Sequence, residues 1–377
     1  MIFMKKIRLI TITLLLALVS ACSNKVKQNE LSMRNNATVS AGFDTYISIS
    51  LASTTQEEFD KYFNNSVEEF KYLNELFDIY NDYEGVNNIK TINDNAGIQP
   101  VKVDKPIIDM LEISKEFYDL SNGEFDVTLG PVLKIWHNYR DEGLALMQEG
   151  KLGKTPSLDE LKEAYKCTGW DNVQINKEDS TVYLTKACAG LDVGGIAKGF
   201  ATEYVAKSLE SQNAKIGFVD AGGNNRTINT KLDGTPWKVG IQNPDGKEGS
   251  ILVVKNEGSM SFVTSGDYQR YYVSEDGNQY HHIIDPKTLF PANYYHSVSI
   301  VTNDSGVADA LSTSLFTVDF ETGNKIIENY KAKHPEVTLE AIWIMSSDKT
   351  IDTPYSKQLD KYTVLYTKGL EDKIIWK

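Results

Sequence analysis

Several stretches of this sequence combine residue types that do chemistry. Asp192-Val193-Gly194-Gly195-Ile196-Ala197-Lys198-Gly199 sets a carboxylate, an amine and three glycines in one short segment. Glycine lets backbone approach a ligand closely, and a helix start after such a turn offers unpaired N–H groups to an anion. The segment has neither the dinucleotide spacing GxGxxG nor the phosphate-loop pattern, so a plain strand-to-helix turn reads equally well. Asp309 and Thr313 stand four apart, on one face of a helix. Both present oxygen, which suits a hard cation such as Mg²⁺. The alternative is an Asp capping the first turn and a Thr bonding back to a carbonyl. In His281-His282-Ile283-Ile284-Asp285-Pro286 two imidazoles flank a strand. Strand alternation sends them to opposite faces, one as a general base and the other toward solvent. Asp220-Ala221-Gly222-Gly223 and Ser265-Gly266-Asp267-Tyr268 are further polar turns after apolar runs.

The elements that position these groups follow from periodicity. Ile47, Ile49 and Leu51 alternate with serines, predicting a first strand over residues 43–51. Thr54 with Glu57 predicts a capping box, followed by a helix whose apolar positions are Phe59, Phe63, Val67, Phe70, Leu73 and Phe77. A second helix opens at Asp104, has Pro106 in its first turn and closes at Asn122-Gly123; a third starts at Ser157, with Glu160 completing another capping box. Strand pairs at 173–175 and 182–184 lead into the glycine-rich segment and a helix to about Leu209. Strands then dominate (216–219, 237–241, 251–254, 261–264, 280–284 and 297–301), interrupted by a helix over 307–316. Helices and strands mix without a steady βαβ rhythm, which predicts one large α+β domain.

The chain has 377 residues, 39 Lys and Arg against 52 Asp and Glu, a net charge of −13 and 41% hydrophobic residues. So long a chain buries a core without disulfides or structural metal. The acidic balance and lack of basic clusters argue against a nucleic-acid partner. At the N-terminus Lys5, Lys6 and Arg8 precede an apolar run over 9–19, too short to span a bilayer, that ends in Leu18-Val19-Ser20-Ala21-Cys22. Small residues before a Cys read as a lipoprotein signal. Residues 1–21 are then the signal peptide, Cys22 the lipidated residue, 22–40 a polar flexible tether and 41–377 the domain. The expected location is the outer face of a bacterial cell membrane, held by acyl chains. Cys167 and Cys188 read as two separate buried thiols, with a disulfide open because that compartment permits one.

Taken together and in order, six segments resemble the motifs of the FAD:protein FMN transferase family, the ApbE-like flavin transferases. They are Gly123-Glu124-Phe125-Asp126-Val127-Thr128-Leu129-Gly130-Pro131, Leu191 to Gly199, Asp220 to Gly223, Thr264 to Tyr268, His281 to Pro286 and Ala308-Asp309-Ala310-Leu311-Ser312-Thr313. The resemblance implies an ApbE-like (T-fold-like) α+β domain. It also implies an enzyme that binds FAD and Mg²⁺, splits the pyrophosphate, attaches FMN to a Ser or Thr hydroxyl of an acceptor flavoprotein and releases AMP. FAD hydrolysis and FAD binding without chemistry are the alternatives. By motif, Asp309, Thr313 and the Gly195 carbonyl would be the Mg²⁺ ligands. Phe43, Tyr80, Glu124, Phe125, Asp126, Asp192, Lys198 and Ile283 would line the FAD site. His282 would be the base, with Asp309 also able to orient the nucleophile. The sequence departs from the family where Phe43-Asp44-Thr45 stands for Met-Gly-Thr, in a longer polar region after Tyr80, and where Leu289 follows Asp285-Pro286-Lys287-Thr288 in place of Gly.

Overall fold

The computed structural model describes residues 30–377, apart from 247 and 248. The expected signal peptide, Cys22 and the first part of the expected tether lie outside the described residues. The rest of that tether is ordered. Ser32–Thr38 forms strand β1, which pairs antiparallel with β2 (Ile47–Ser53) along its whole length. The polar composition of β1 reflects its edge position, where only backbone bonding is required. The domain thus begins before residue 41. β2 itself starts four residues later than periodicity suggests, because Phe43 and Asp44 adopt left-handed φ of 57° and 47°.

Helix α1 (Gln56–Phe77) carries the expected apolar face, and Phe59, Phe70 and Leu73 are fully buried. Each such side chain contributes about 1.5–3 kcal/mol. Its cap sits one residue later than predicted: Thr55 Oγ1 accepts from the Glu58 N–H, while the Thr54 N–H and hydroxyl donate to the Glu58 carboxylate. Then follow α2 (Ile89–Asp94), β3 (Val101–Lys102) and α3 (Lys105–Leu120). Residues 105–120 match the expected helix, which stops at Asn122 and Gly123, both at positive φ. Helix α4 (Gly130–Gln148) was not expected. Its buried face is thin, chiefly Val132, Trp136 and Gly143, and Gly143 is set by packing because a Cβ there would stand 2.4 Å from the Tyr272 ring. Ser157 caps α5 (Leu158–Tyr165) by accepting from the Glu160 N–H. Cys167 and Cys188 form a disulfide, Cα atoms 5.5 Å apart, contrary to the two-thiol expectation. The bridge ties the end of α5 to the strap that follows β4 (Val173–Asn176) and β5 (Thr181–Leu184).

After α6 (Ala197–Ser211) come β6 (Gly217–Ala221), β7 (Asn224–Ile228), β8 (Trp237–Gln242), β9 (Ser250–Asn256), β10 (Ser261–Gly266), β11 (Tyr271–Val273), β12 (Gln279–His281) and β13 (Ser297–Thr302). Helix α7 (Ser305–Phe316) falls as predicted. It is followed by an unexpected α8 (Phe320–Lys333) capped by Asp319, then β14 (Leu339–Ser346), β15 (Ser356–Leu359), β16 (Tyr362–Tyr366) and β17 (Ile374–Trp376). A nine-stranded antiparallel sheet in the order β1-β2-β6-β7-β10-β13-β14-β16-β15 is the centre. One face packs against α1, α6 and α7; the other is covered by the small sheet β17-β9-β8. Alternate residues of β14 serve the two cores, Ala341, Trp343 and Met345 facing the helices while Ile342 and Ile344 face the small sheet. Burial on both faces explains why β14 reads as a nearly continuous apolar run. The architecture is the mixed α+β domain expected.

Candidate functional site

The site begins where α6 and α7 touch. A Cβ on Gly199 would stand 2.2 Å from the Ser305 carbonyl oxygen and 2.5 Å from Asp309 Cβ; one on Gly195 would stand 3.4 Å from Thr313 Oγ1. Pairing 199 with 309 and 195 with 313 runs the turn before α6 and the start of that helix antiparallel to α7, where the two contacts are one helical turn apart. The Gly199 N–H donates to Asp309 Oδ2 at 2.8 Å. Asp309 is therefore no helix cap. That role belongs to Asp304, and the back-bonds of α7 are made by Ser312, Ser314 and Thr317. Burial pushes the Asp309 carboxyl up, opposed by the Lys198 charge and the Gly199 N–H. Among the described residues Lys198 makes no ion pair, and its charge acts on Asp309 and His282.

The Gly195 main chain, the Asp309 carboxylate and the Thr313 hydroxyl are all oxygen donors, and no set of three or more His, Cys, Asp or Glu among the described residues is arranged to hold a metal. That chemistry fits a hard cation completed by substrate oxygens and not a zinc site. The cleft left by the missing Gly195 side chain supports the fit: a Cβ there would press to 3.2 Å on Phe125 Cε2 as well as on Thr313.

The two histidines depart from the strand-alternation reading. β12 ends at His281, so His282 is not its neighbour on a strand, and neither ring is a plain surface group. His281 is 7% exposed. The Ile283 N–H donates to its Nδ1 at 3.2 Å, so the proton sits on Nε2 and is given to the Ala292 carbonyl at 2.7 Å. It is a structural residue. His282 Nδ1 is buried and lacks a partner among the described residues. Burial, then the neighbouring His281, Arg270, Lys198 and Arg140, hold its pKa down at about 3. Arg140 and Arg270 are two of only five Arg in the chain. They make the surroundings of His282 cationic in a protein that is acidic overall. Sequence reasoning missed both; Arg140 lies on the unexpected α4.

The remaining residues singled out from the sequence are held by separate local contacts. Phe125 is 3% exposed and packs edge-on against Phe117 as well as near Gly195. Glu124 is buried; Lys287 pairs with its Oε1, and Oε2 has no partner among the described residues. Asp126 caps a short 3₁₀ turn by accepting from the Thr128 N–H and hydroxyl at 2.8 and 2.6 Å, while burial pushes its pKa up to about 6. Asp192 Oδ1 accepts from the Gly194 N–H at 2.9 Å, and Oδ2 is a buried orphan 3.6 Å from His137 Nε2. Tyr80 is 60% exposed, with its hydroxyl 2.8 Å from His137 Nδ1. The polar stretch after Tyr80 is fastened by Asp78, which accepts from the Tyr80 and Asn81 N–H groups and from the Tyr83 hydroxyl. Phe43 packs edge-on against Phe70, and its N–H donates to Asn74 Oδ1 at 2.7 Å. The neighbouring Thr45 meets the Asp220–Gly223 turn, where a Cβ on Gly222 would overlap Thr45 Oγ1. Ile283 is in the main core, and its backbone serves His281 and Ala292. Its side chain is thus a support and not an open wall. Glu124 Oε2, Asp192 Oδ2 and His282 Nδ1 are three buried polar atoms still to be satisfied, all on residues singled out from the sequence.

The model of the ApbE family matches residues 43–338. The chain belongs to the ApbE family. Its relatives include the FAD:protein FMN transferase of Treponema pallidum, 33% identical over 64% of this chain and 68% of that protein, and that of Haemophilus influenzae, 29% identical over 65% and 70%. The ApbE protein of Thermotoga maritima superimposes with a TM-score of 0.70 at 29% identity, covering 83% of this ApbE-family chain and 94% of its own. The Vibrio cholerae flavin transferase ApbE, at 21% identity and a TM-score of 0.68, shares the fold over 91% and 99%.

Proposed function

We propose that this ApbE-family protein is a Mg²⁺-dependent FAD:protein FMN transferase. The observation that carries the reading is the seam between α6 and α7, where glycines bring Asp309 and Thr313 against Gly195 and Gly199 beside an unpaired Lys198. A bound Mg²⁺, held by the Gly195 carbonyl, Asp309 and Thr313, would neutralise phosphate charge and polarise phosphorus. Lys198, Arg140 and Arg270 supply positive charge to a pyrophosphate. In the reaction the acceptor Ser or Thr oxygen forms a bond to the FMN-side phosphorus. The bond from that phosphorus to the bridging oxygen breaks, and AMP leaves with the electron pair. His282, neutral in the free protein, accepts the hydroxyl proton; the dianionic pyrophosphate beside it favours the imidazolium that results. Phe43, Tyr80 and Phe125 supply aromatic surface for flat rings, and Glu124, Asp126 and Asp192 supply acceptors. The lipoprotein signal, read from sequence, supports placement on the outer membrane face, where acceptor redox subunits are exposed.

The test mixes the full chain with FAD, Mg²⁺ and a flavin-acceptor domain, denatures the mixture and reads flavin fluorescence in the gel. Fluorescence on the acceptor that disappears with Asp309→Ala is the expected result. A dark acceptor with free AMP and FMN would replace the transferase reading with a hydrolase. Intact FAD with several acceptors would leave binding alone.

A further inference from the structure

His137 lies in none of the six segments, on α4, and has no part in the proposed reaction. Its surroundings are nevertheless constructed. The ring is largely enclosed, with 18% of the side chain exposed. On one side Nδ1 is 2.8 Å from the Tyr80 hydroxyl; on the other Nε2 faces Asp192 Oδ2 at 3.6 Å. The Asp192 carboxylate is too far from Nε2 for a hydrogen bond, but its charge favours the proton on that nitrogen, which leaves Nδ1 as the acceptor and the tyrosine as the donor. The Tyr80 and His137 rings lie 6.0 Å apart, tilted at 45°, so the contact is made through the hydroxyl and not by stacking. Tyr80 thereby has its polar end fixed, with Arg140 as a second hydrogen-bond partner of the hydroxyl, while the residue stays 60% exposed, an arrangement that costs side-chain entropy. Asp192 in turn is fixed by the Gly194 N–H within the glycine-rich turn.

We infer that His137 is a positioning residue: by tying the Tyr80 hydroxyl toward Asp192 it holds the Tyr80 ring as a preformed wall on which a flat ring system of the dinucleotide packs. The inference rests on the flavin reading of the site. It gives the exposed ring a purpose, because a ring ordered before binding loses less freedom when the ligand arrives. The path runs from α4 through His137 to the loop held by Asp78, and from His137 to the turn that opens α6. One imidazole therefore sets two walls relative to each other.

The test is a titration of the full chain with FAD, with Mg²⁺ chelated so that nothing is consumed, followed by quenching of flavin fluorescence. His137→Ala is expected to weaken FAD binding about 5- to 30-fold, the scale of one hydrogen bond plus the ordering of one ring. Tyr80→Phe, which keeps the ring and removes only the hydroxyl, should weaken it about as much. The double variant should be no weaker than His137→Ala, because both break one connection. His137→Gln, which retains an acceptor for the tyrosine, should recover part of the loss. In transfer assays KM for FAD should rise more than kcat falls, a split that a general loss of folded protein would not produce. Binding within twofold of wild type in both single variants, or losses that simply multiply in the double, would overturn the inference and leave the flavin reading standing. No FAD binding by wild type would overturn both. Should His137→Ala not fold, Tyr80→Phe, a change at an exposed hydroxyl, decides the matter alone.

Discussion

Gly199→Ala tests whether the seam between α6 and α7 sets the reactive geometry. A methyl group there would lie 2.2 Å from the Ser305 carbonyl oxygen and 2.5 Å from Asp309 Cβ. Neither atom is the free end of a flexible side chain, and carbon needs about 3.5 Å from its neighbours. The helices must therefore separate by about 1 Å. Overpacking of this kind costs about 1–3 kcal/mol, offset by about 1 kcal/mol of helix propensity gained over Gly. Net destabilisation should be about 0–2 kcal/mol. The larger effect falls on activity. Asp309 accepts from the Gly199 N–H, so moving one helix moves the carboxylate relative to Gly195, and a misplacement of about 1 Å costs about 10²-fold in rate. Gly323→Ala in α8 is the control, because its Cβ would meet nothing closer than Leu315 Cδ2 at 3.5 Å. There the same change should stabilise by up to about 1 kcal/mol and spare activity. The assay is urea unfolding alongside flavin transfer at saturating FAD. Full transfer activity in a folded Gly199→Ala protein would refute the reasoning.

Asp309→Asn should abolish transfer while leaving metal-free stability unchanged or higher, since a neutral amide replaces a buried carboxylate; Mg²⁺ should raise the melting temperature of wild type and not of the variant. Because the folded pKa of His282 is lowered to about 3, the unfolded chain binds a proton below pH 6.5 that the folded chain refuses, and stability falls as pH drops. The unfolding free energy of wild type relative to His282→Gln should shift by about 1 kcal/mol between pH 7 and 5.5, and an absence of shift would contradict that environment. Leu289→Gly relieves a φ of 64° worth about 1 kcal/mol but removes a buried side chain worth about 2–5, so denaturant unfolding should show a net loss. Replacing both Cys167 and Cys188 with Ser should cost about 3 kcal/mol, given the 21-residue separation the bridge closes.

Much of this fold was legible because its signals are local. The apolar spacing of α1, the Pro106 start of α3 and the alternation of β2 each appear within one turn or one strand. The juxtaposition of Asp309 and Thr313 was legible for a different reason: they stand one helical turn apart on α7. Helix α4 was hidden because its face toward the protein is narrow and contains Gly143, which the ring of Tyr272 requires. Losing α4 also lost His137 and Arg140, whose roles depend on residues far away in sequence. Strand β1 carries no apolar pattern because its ladder with β2 is a matter of backbone. The His281-His282 pair misled because alternation holds only while the strand continues, and β12 ends between them. The disulfide was undecidable from sequence, since the fold alone brings Cys167 to Cys188.

The most direct test is a crystal of the protein grown with FAD and Mn²⁺ as an anomalously scattering substitute for Mg²⁺. One anomalous peak is expected, bounded by the Gly195 carbonyl, Asp309 and Thr313, in contact with the FAD pyrophosphate, with His282 on the side from which an acceptor hydroxyl would approach. Density for FAD elsewhere, or a metal peak away from Asp309, would contradict it.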